Sequence, residues 1–289
     1  MTANNPRKPG TRLTVALVTV LVLMACTESE PTGASPGATS RESSVGPQPT
    51  AQPTDAAEGA YREVEFTTRD GDPRSGRLFG DGPVAVVLTH MGRVADTQDD
   101  WQSFAEELAD NGHQALTYER ERRLRDVWQD VLGAADYLRG NGAEKVIVAG
   151  ASIGAMASLY VATLPEANVD GVIWLAGVLR GNGYDFRDED IAEIASPMLF
   201  ISGDQDVYGA ADAARQLHDW ATAPSELVIL DSRQHGTDMF TDSEANARTL
   251  TETMLGFVEG LGGAEGKDMA GPTRQAPEGD RQTPAHWPQ

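Results

Sequence analysis

Between Tyr61 and Gly262 the chain alternates short apolar runs with longer segments of helical period. Val84 to Thr89 (VAVVLT), Lys145 to Ala149 (KVIVA), Gly171 to Ala176 and Met198 to Ser202 are near-continuous apolar runs, the pattern of strands covered on both faces. Gln114 to Tyr118 and Glu226 to Leu230 read as shorter strands. Trp101, Phe104, Ala105 and Leu108 share one helical face after Asp99 or Asp100, either of which can cap the helix, and Gly112 can end it. Val127, Val131, Leu132, Ala135 and Leu138 predict a helix over Arg125 to Arg139. Ile153 to Leu164 reads as a small-residue helix stopped by Pro165, and Ala210 to Ala221 and Ser243 to Glu259 as two more. Tyr61 to Thr67 and Ser75 to Phe79 read as an opening hairpin across Asp70-Gly71-Asp72-Pro73. Such alternation predicts an α/β fold with a mostly parallel central sheet and helices on both faces. In such sheets function gathers beyond the carboxyl ends of the strands.

The pattern stops at both ends of the chain. Arg7, Lys8 and Arg12 precede an apolar run from Leu13 to Leu23, which has signal-peptide length and is too short to span a bilayer. Leu23-Met24-Ala25-Cys26 then resembles the lipobox of bacterial lipoproteins, in which the cysteine is lipidated and becomes the new N-terminus. Cys26 is the only cysteine, so no internal disulfide and no cysteine zinc site can form. The chain is thus expected to comprise a signal peptide (1–25), a lipidated Cys26 with a disordered tether (26–60), a domain (61–262) and a disordered tail (263–289). The tether is rich in Pro, Ser, Thr, Gly and Ala and lacks the apolar surface that would offset the entropy of ordering. A membrane partner is expected through the lipid on the extracytoplasmic face, since acyl chains anchor where charge does not. The formal net charge is −21 and falls to about −24 without Arg7, Lys8 and Arg12. Such an acidic surface repels phosphate and argues against nucleic-acid binding.

The residues just after the strands carry the chemistry. Gly150-Ala151-Ser152-Ile153-Gly154 follows KVIVA and precedes a helix, the context of a nucleophile elbow. The sharp turn leaves no room for side chains at Gly150 and Gly154, and it presents Ser152 at a helix N-terminus. A serine hydroxyl needs a base. Of five histidines, His235 lies in a loop after the last strand, within Ser232-Arg233-Gln234-His235-Gly236, whereas His113 and His218 border helices and His286 is in the tail. The base needs a carboxylate to fix its tautomer. Asp204 and Asp206 compete after MLFIS; Asp206 is favoured, with Asp204 bracing the turn. Two backbone N–H groups should receive a developing oxyanion: Ile153, directly after the serine, and Met91 in the loop His90-Met91-Gly92 after VAVVLT. His90 is expected to shape that loop and not to act as base.

With HMG, GASIGA, GDQD and QHGTD at these places, the segment from His90 to His235 resembles the α/β-hydrolase superfamily, and within it the dienelactone-hydrolase-like and small-esterase branch. The resemblance implies an α/β-hydrolase fold and a serine hydrolase with the order Ser152, Asp206, His235. It also implies a small-molecule ester or acyl substrate, attacked without cofactor or metal. One departure is the nucleophile: dienelactone hydrolases proper carry cysteine there, so an ordinary ester or acyl bond fits better than dienelactone. The short segment from Gly177 to Pro197 leaves space for a small lid or none. A peptidase, a thioesterase, or a non-catalytic binding lipoprotein on the same fold are the competing readings, and oligomeric state is not legible.

Overall fold

The computed structural model describes residues 61–121 and 123–263. The expected signal peptide, Cys26, the tether and the tail beyond Gly263 lie outside the described residues. The strands are β1 (Tyr61–Thr67), β2 (Pro73–Phe79), β3 (Val84–Thr89), β4 (Gln114–Tyr118), β5 (Lys145–Ala151), β6 (Gly171–Leu175), β7 (Arg180–Gly181), β8 (Tyr184–Asp185), β9 (Met198–Gly203) and β10 (Ser225–Leu230). The helices are α1 (Gln102–Asp110), α2 (Val127–Gly140), α3 (Ile153–Ala162), α4 (Asp188–Ala192), α5 (Ala210–Trp220) and α6 (Glu244–Gly262).

Eight strands form one sheet in the order β1-β2-β4-β3-β5-β6-β9-β10. The opening hairpin joins it antiparallel through β2, and the six strands from β4 to β10 in that order run parallel. This is the mostly parallel sheet that the apolar runs imply. The fully buried runs VAVVLT and GVIWL explain why: such strands need cover on both faces. Alternate residues serve opposite layers. Val87, Val146 and Val148 pack with α2, α3 and α5, while Val86, Leu88 and Ile147 pack with α1 and α6.

Sequence and structure differ at some boundaries. α1 is not capped by Asp99 or Asp100. A 3-10 turn over Gln98–Trp101 precedes it, and Thr97 caps that turn in a capping box with Asp100. The Thr97 hydroxyl reaches the free N–H groups of the turn, and Asp100 returns the bond to the Thr97 backbone. Another 3-10 turn, Leu124–Asp126, carries the chain into α2. The segment between β6 and β9 holds only the β7–β8 hairpin and the short α4, so no large lid is inserted there.

Register sets up the site. Thr89 pairs with Gly150, Ala151 with Leu175, Leu175 with Ile201, and Leu230 with Gly203. The carboxyl ends of five parallel strands therefore finish in one row, and the loops that leave them are neighbours.

Candidate active site

Ser152 sits at the junction of β5 and α3 with φ 54° and ψ −115°, a conformation that non-glycine residues rarely adopt. It is held from both sides: its N–H donates to the Leu175 carbonyl at 2.9 Å, and its carbonyl accepts from the Met156 N–H at 3.1 Å. A Cβ on Gly150 would collide with the Gly154 backbone, and one on Gly154 with the Thr89 carbonyl. The glycines thus permit both the turn and the close approach of α3 to the end of β3. Strain at a defined residue, held by its surroundings, points from geometry to function.

The loop after β3 is fixed by His90 and Arg120. The Arg120 backbone N–H faces His90 Nε2 at 3.4 Å, so Nε2 accepts and Nδ1 carries the proton. His90 Nδ1 then donates to the Met91 carbonyl at 3.0 Å, and Arg120 Nε donates to the same oxygen at 2.8 Å. Burial, and then the nearby Arg120 cation, pull the His90 imidazole down to about 4. With the Met91 carbonyl held there, neither the Met91 N–H nor the Ile153 N–H finds an acceptor among the described residues. Gly92 leans on Ile153: a Cβ there would stand 3.3 Å from Ile153 Cγ2.

The loops after β9 and β10 meet through the aspartates. His235 Nδ1 donates to Asp206 Oδ2 at 2.7 Å. The Asp206 side chain is wholly buried while His235 keeps 15% of its side chain exposed, so the carboxylate is sequestered and the far ring edge is not. Asp204 turns elsewhere: its Oδ1 accepts from the Ser232 N–H at 3.1 Å, tying the two loops together. The two acids thus divide as pairing partner and brace.

The histidine loop also touches the elbow. Gly236 has φ +55°, and a Cβ there would run into the Met91 sulfur and stand 3.2 Å from the Ala151 Cβ. Arg93 closes the other side. Its Nη1 and Nη2 donate to the two Asp238 oxygens at 2.8 Å each, and its Nε donates to Asp96 at 2.8 Å. Those bonds raise the Arg93 pKa further, led by the one to Asp238. A cavity of about 460 Å³ opens beside the loop, lined by His90, Gly92, Val94, Glu119 and Arg120 among others.

Ser152, Met91, Ile153, Asp206 and His235 are therefore gathered at one end of the sheet. Arg93, Arg120, Tyr208 and Asp238 are additions that sequence reasoning missed. The remaining described histidines are elsewhere: His218 pairs with Ser225 at 2.9 Å, and His113 is buried with neither ring nitrogen bonded among the described residues.

The family described as "Alpha/beta hydrolase domain" matches residues 83–259, well over half of the chain. The chain belongs to the α/β-hydrolase superfamily. Solved α/β-hydrolase structures share its fold. Esterase 2 of Thermogutta terrifontis superposes with a TM-score of 0.60 at 15% identity, over 72% of this chain and 97% of that one. Dienelactone hydrolase from Anabaena variabilis gives 0.58 at 16% identity, over 70% and 99%. A Pyrococcus furiosus esterase gives 0.57 at 14% identity, over 70% and 91%. At such identities the likeness shows the fold alone. A search of curated proteins finds no match.

Proposed function

We propose that this α/β-hydrolase is a serine hydrolase that cleaves a carboxylic ester or related acyl bond through an acyl-enzyme. The observation that carries the reading is the His235–Asp206 hydrogen bond, formed on loops that converge on a positive-φ serine. Ser152 Oγ attacks the carbonyl carbon while His235 Nε2 takes its proton, and Asp206 holds the tautomer and stabilises the imidazolium. The tetrahedral oxyanion is received by the Met91 and Ile153 N–H groups. His235 then returns the proton to the leaving oxygen, and water, activated by the same imidazole, releases the acid. The esterase and dienelactone hydrolase named among the structural neighbours support an ester as the bond cleaved, and the serine in place of cysteine argues against dienelactone itself.

The test is hydrolysis of p-nitrophenyl esters, from acetate to long acyl chains, by the full chain and its Ser152→Ala variant. Turnover that vanishes in the variant is expected. Equal turnover in both proteins would overturn the assignment.

We further propose that Cys26 is lipidated and holds the enzyme on the extracytoplasmic face of the membrane, supported by the Leu23-Met24-Ala25-Cys26 sequence after an apolar run. Replacing Cys26 with serine should move the protein out of the detergent phase on Triton X-114 partition. An unchanged partition would refute the anchor.

A further inference from the structure

Tyr208 lies two residues beyond Asp206, on the turn that leads into α5. Its side of the site has no counterpart in the reaction described above. The backbone forms a tight turn there: the Tyr208 N–H donates to Asp206 Oδ1 at 2.9 Å, and the Gly209 N–H to the Asp206 carbonyl at 3.2 Å. Gly209, with φ +75°, then opens α5. This division of labour leaves Asp206 Oδ2 for His235. The same turn swings the Tyr208 side chain back over the imidazole, and the two rings stand 4.5 Å apart between centroids with planes at 52°.

Tyr208 is nonetheless 62% exposed, one of three large hydrophobic residues so exposed among the described residues. An aromatic ring held in water gains little for the fold. The ring it stands against is that of His235.

We propose that Tyr208 is a positioning residue for His235. Its ring covers one side of the imidazole, keeps water from competing for the Nδ1–H···Asp206 bond, and limits rotation of the ring away from Ser152. A hydrogen bond shielded from water is stronger and better oriented than an exposed one. The His235 side chain keeps 15% of its surface exposed, and Tyr208 is the aromatic ring that stands against it among the described residues. The remaining charges on the adjoining loops have partners of their own. Asp204 accepts from Ser232, Arg233 Nε donates to Gln205, Asp231 accepts from Gln205, and Asp238 pairs with Arg93. Tyr208 thus supplies a nonpolar restraint that these groups do not. The proposal rests on the reading of His235 as the general base.

The test uses full-length protein carrying ¹⁵N-labelled histidine, with Tyr208→Ala and Tyr208→Phe. The first readout is the exchange with water of the His235 Nδ1 proton, followed by NMR and assigned with His235→Gln. It needs no turnover. Slow exchange is expected in the wild type and in Tyr208→Phe, with loss of the resonance in Tyr208→Ala. The second readout is ester turnover. Tyr208→Ala should lower kcat about tenfold with KM moved less than about twofold, and Tyr208→Phe should restore the rate, since general-base catalysis depends on the aim of the imidazole. A proton already lost in the wild type, or equally protected in Tyr208→Ala, would overturn the proposal. So would a change confined to KM, which would make the ring a substrate contact. Absence of ester turnover in the wild type would count against the proposed reaction, while the exchange measurement would still decide the restraint.

Discussion

Two imidazoles sit on loops at the carboxyl end of the sheet, and their surroundings differ in nearly every respect. His90, after β3, is almost wholly buried, spends both ring nitrogens on backbone groups, and has a guanidinium beside it. His235, after β10, is half-buried, spends one nitrogen on a carboxylate and presents the other edge outward. A base must accept a proton during the reaction, so it needs a partner that welcomes positive charge and a free nitrogen. His235 has both. His90 has no free nitrogen, and although the Glu119 carboxylate stands 3.7 Å from its Nε2, burial and the Arg120 cation keep the ring neutral. Its surroundings suit it instead to hold the Met91 carbonyl so that the loop stays against the elbow.

The contrast breaks most visibly in rate. His235→Gln should reduce kcat on a p-nitrophenyl ester by roughly 10⁴-fold or more, as removal of a general base does in a triad. His90→Gln should cost only about tenfold, through loosening of the Met91 loop. Equal losses would erase the distinction, and a larger loss at His90 would reverse it.

The two aspartates sharpen the same point at smaller scale. Asp206→Asn should lower kcat by about 10³- to 10⁴-fold, because the amide can no longer hold the required tautomer. Asp204→Asn should leave kcat within about tenfold and cost on the order of 1–2 kcal/mol of stability from the weakened Ser232 bond. Urea unfolding and steady-state kinetics on both variants separate the two roles. A reversed pattern would make Asp204 the acid.

The smallest effect concerns pH. The His90 imidazole is held down to about 4 against an ordinary 6.5, so the unfolded chain takes up this proton first as pH falls. The stability it contributes is complete above pH 6.5 and is lost as pH falls through 4. Asp130 acts with the opposite sign, because burial lifts its carboxyl to about 6 and the folded chain takes up that proton first. The two offset each other in the wild type. The stability advantage of wild type over His90→Gln should therefore shrink by about 3 kcal/mol between pH 6.5 and 4. A constant difference would mean that folded His90 titrates like the unfolded chain.

Much of this arrangement was legible in the sequence, for physical reasons. Buried strands announce themselves by composition, and VAVVLT, KVIVA and MLFIS stand almost unbroken in the structure. The elbow was legible because its glycines are dictated by local sterics. Asp206 could be preferred over Asp204 only by motif, and the structure now separates their partners. The groups that went unread depend on tertiary contact. Arg93 meets Asp238 across 145 positions, and Arg120 reaches back to Met91 across 29. No periodicity encodes such pairs. Thr97 is different, since Thr97 and Asp100 have capping-box spacing, and attention to the acids alone hid the hydroxyl that caps the turn. Tyr208 escapes such a reading because an aromatic in a helix-entry loop looks like ordinary surface.

The proposed chemistry turns on a covalent bond between Ser152 and the substrate's acyl group. The most direct measurement is peptide mass mapping after treatment with a fluorophosphonate, which traps an activated serine at phosphorus with loss of fluoride. A single adduct is expected on the peptide containing Ser152, slow to form in His235→Gln and absent in Ser152→Ala. A folded wild-type protein that takes no adduct, or takes it at another residue, would contradict the serine mechanism.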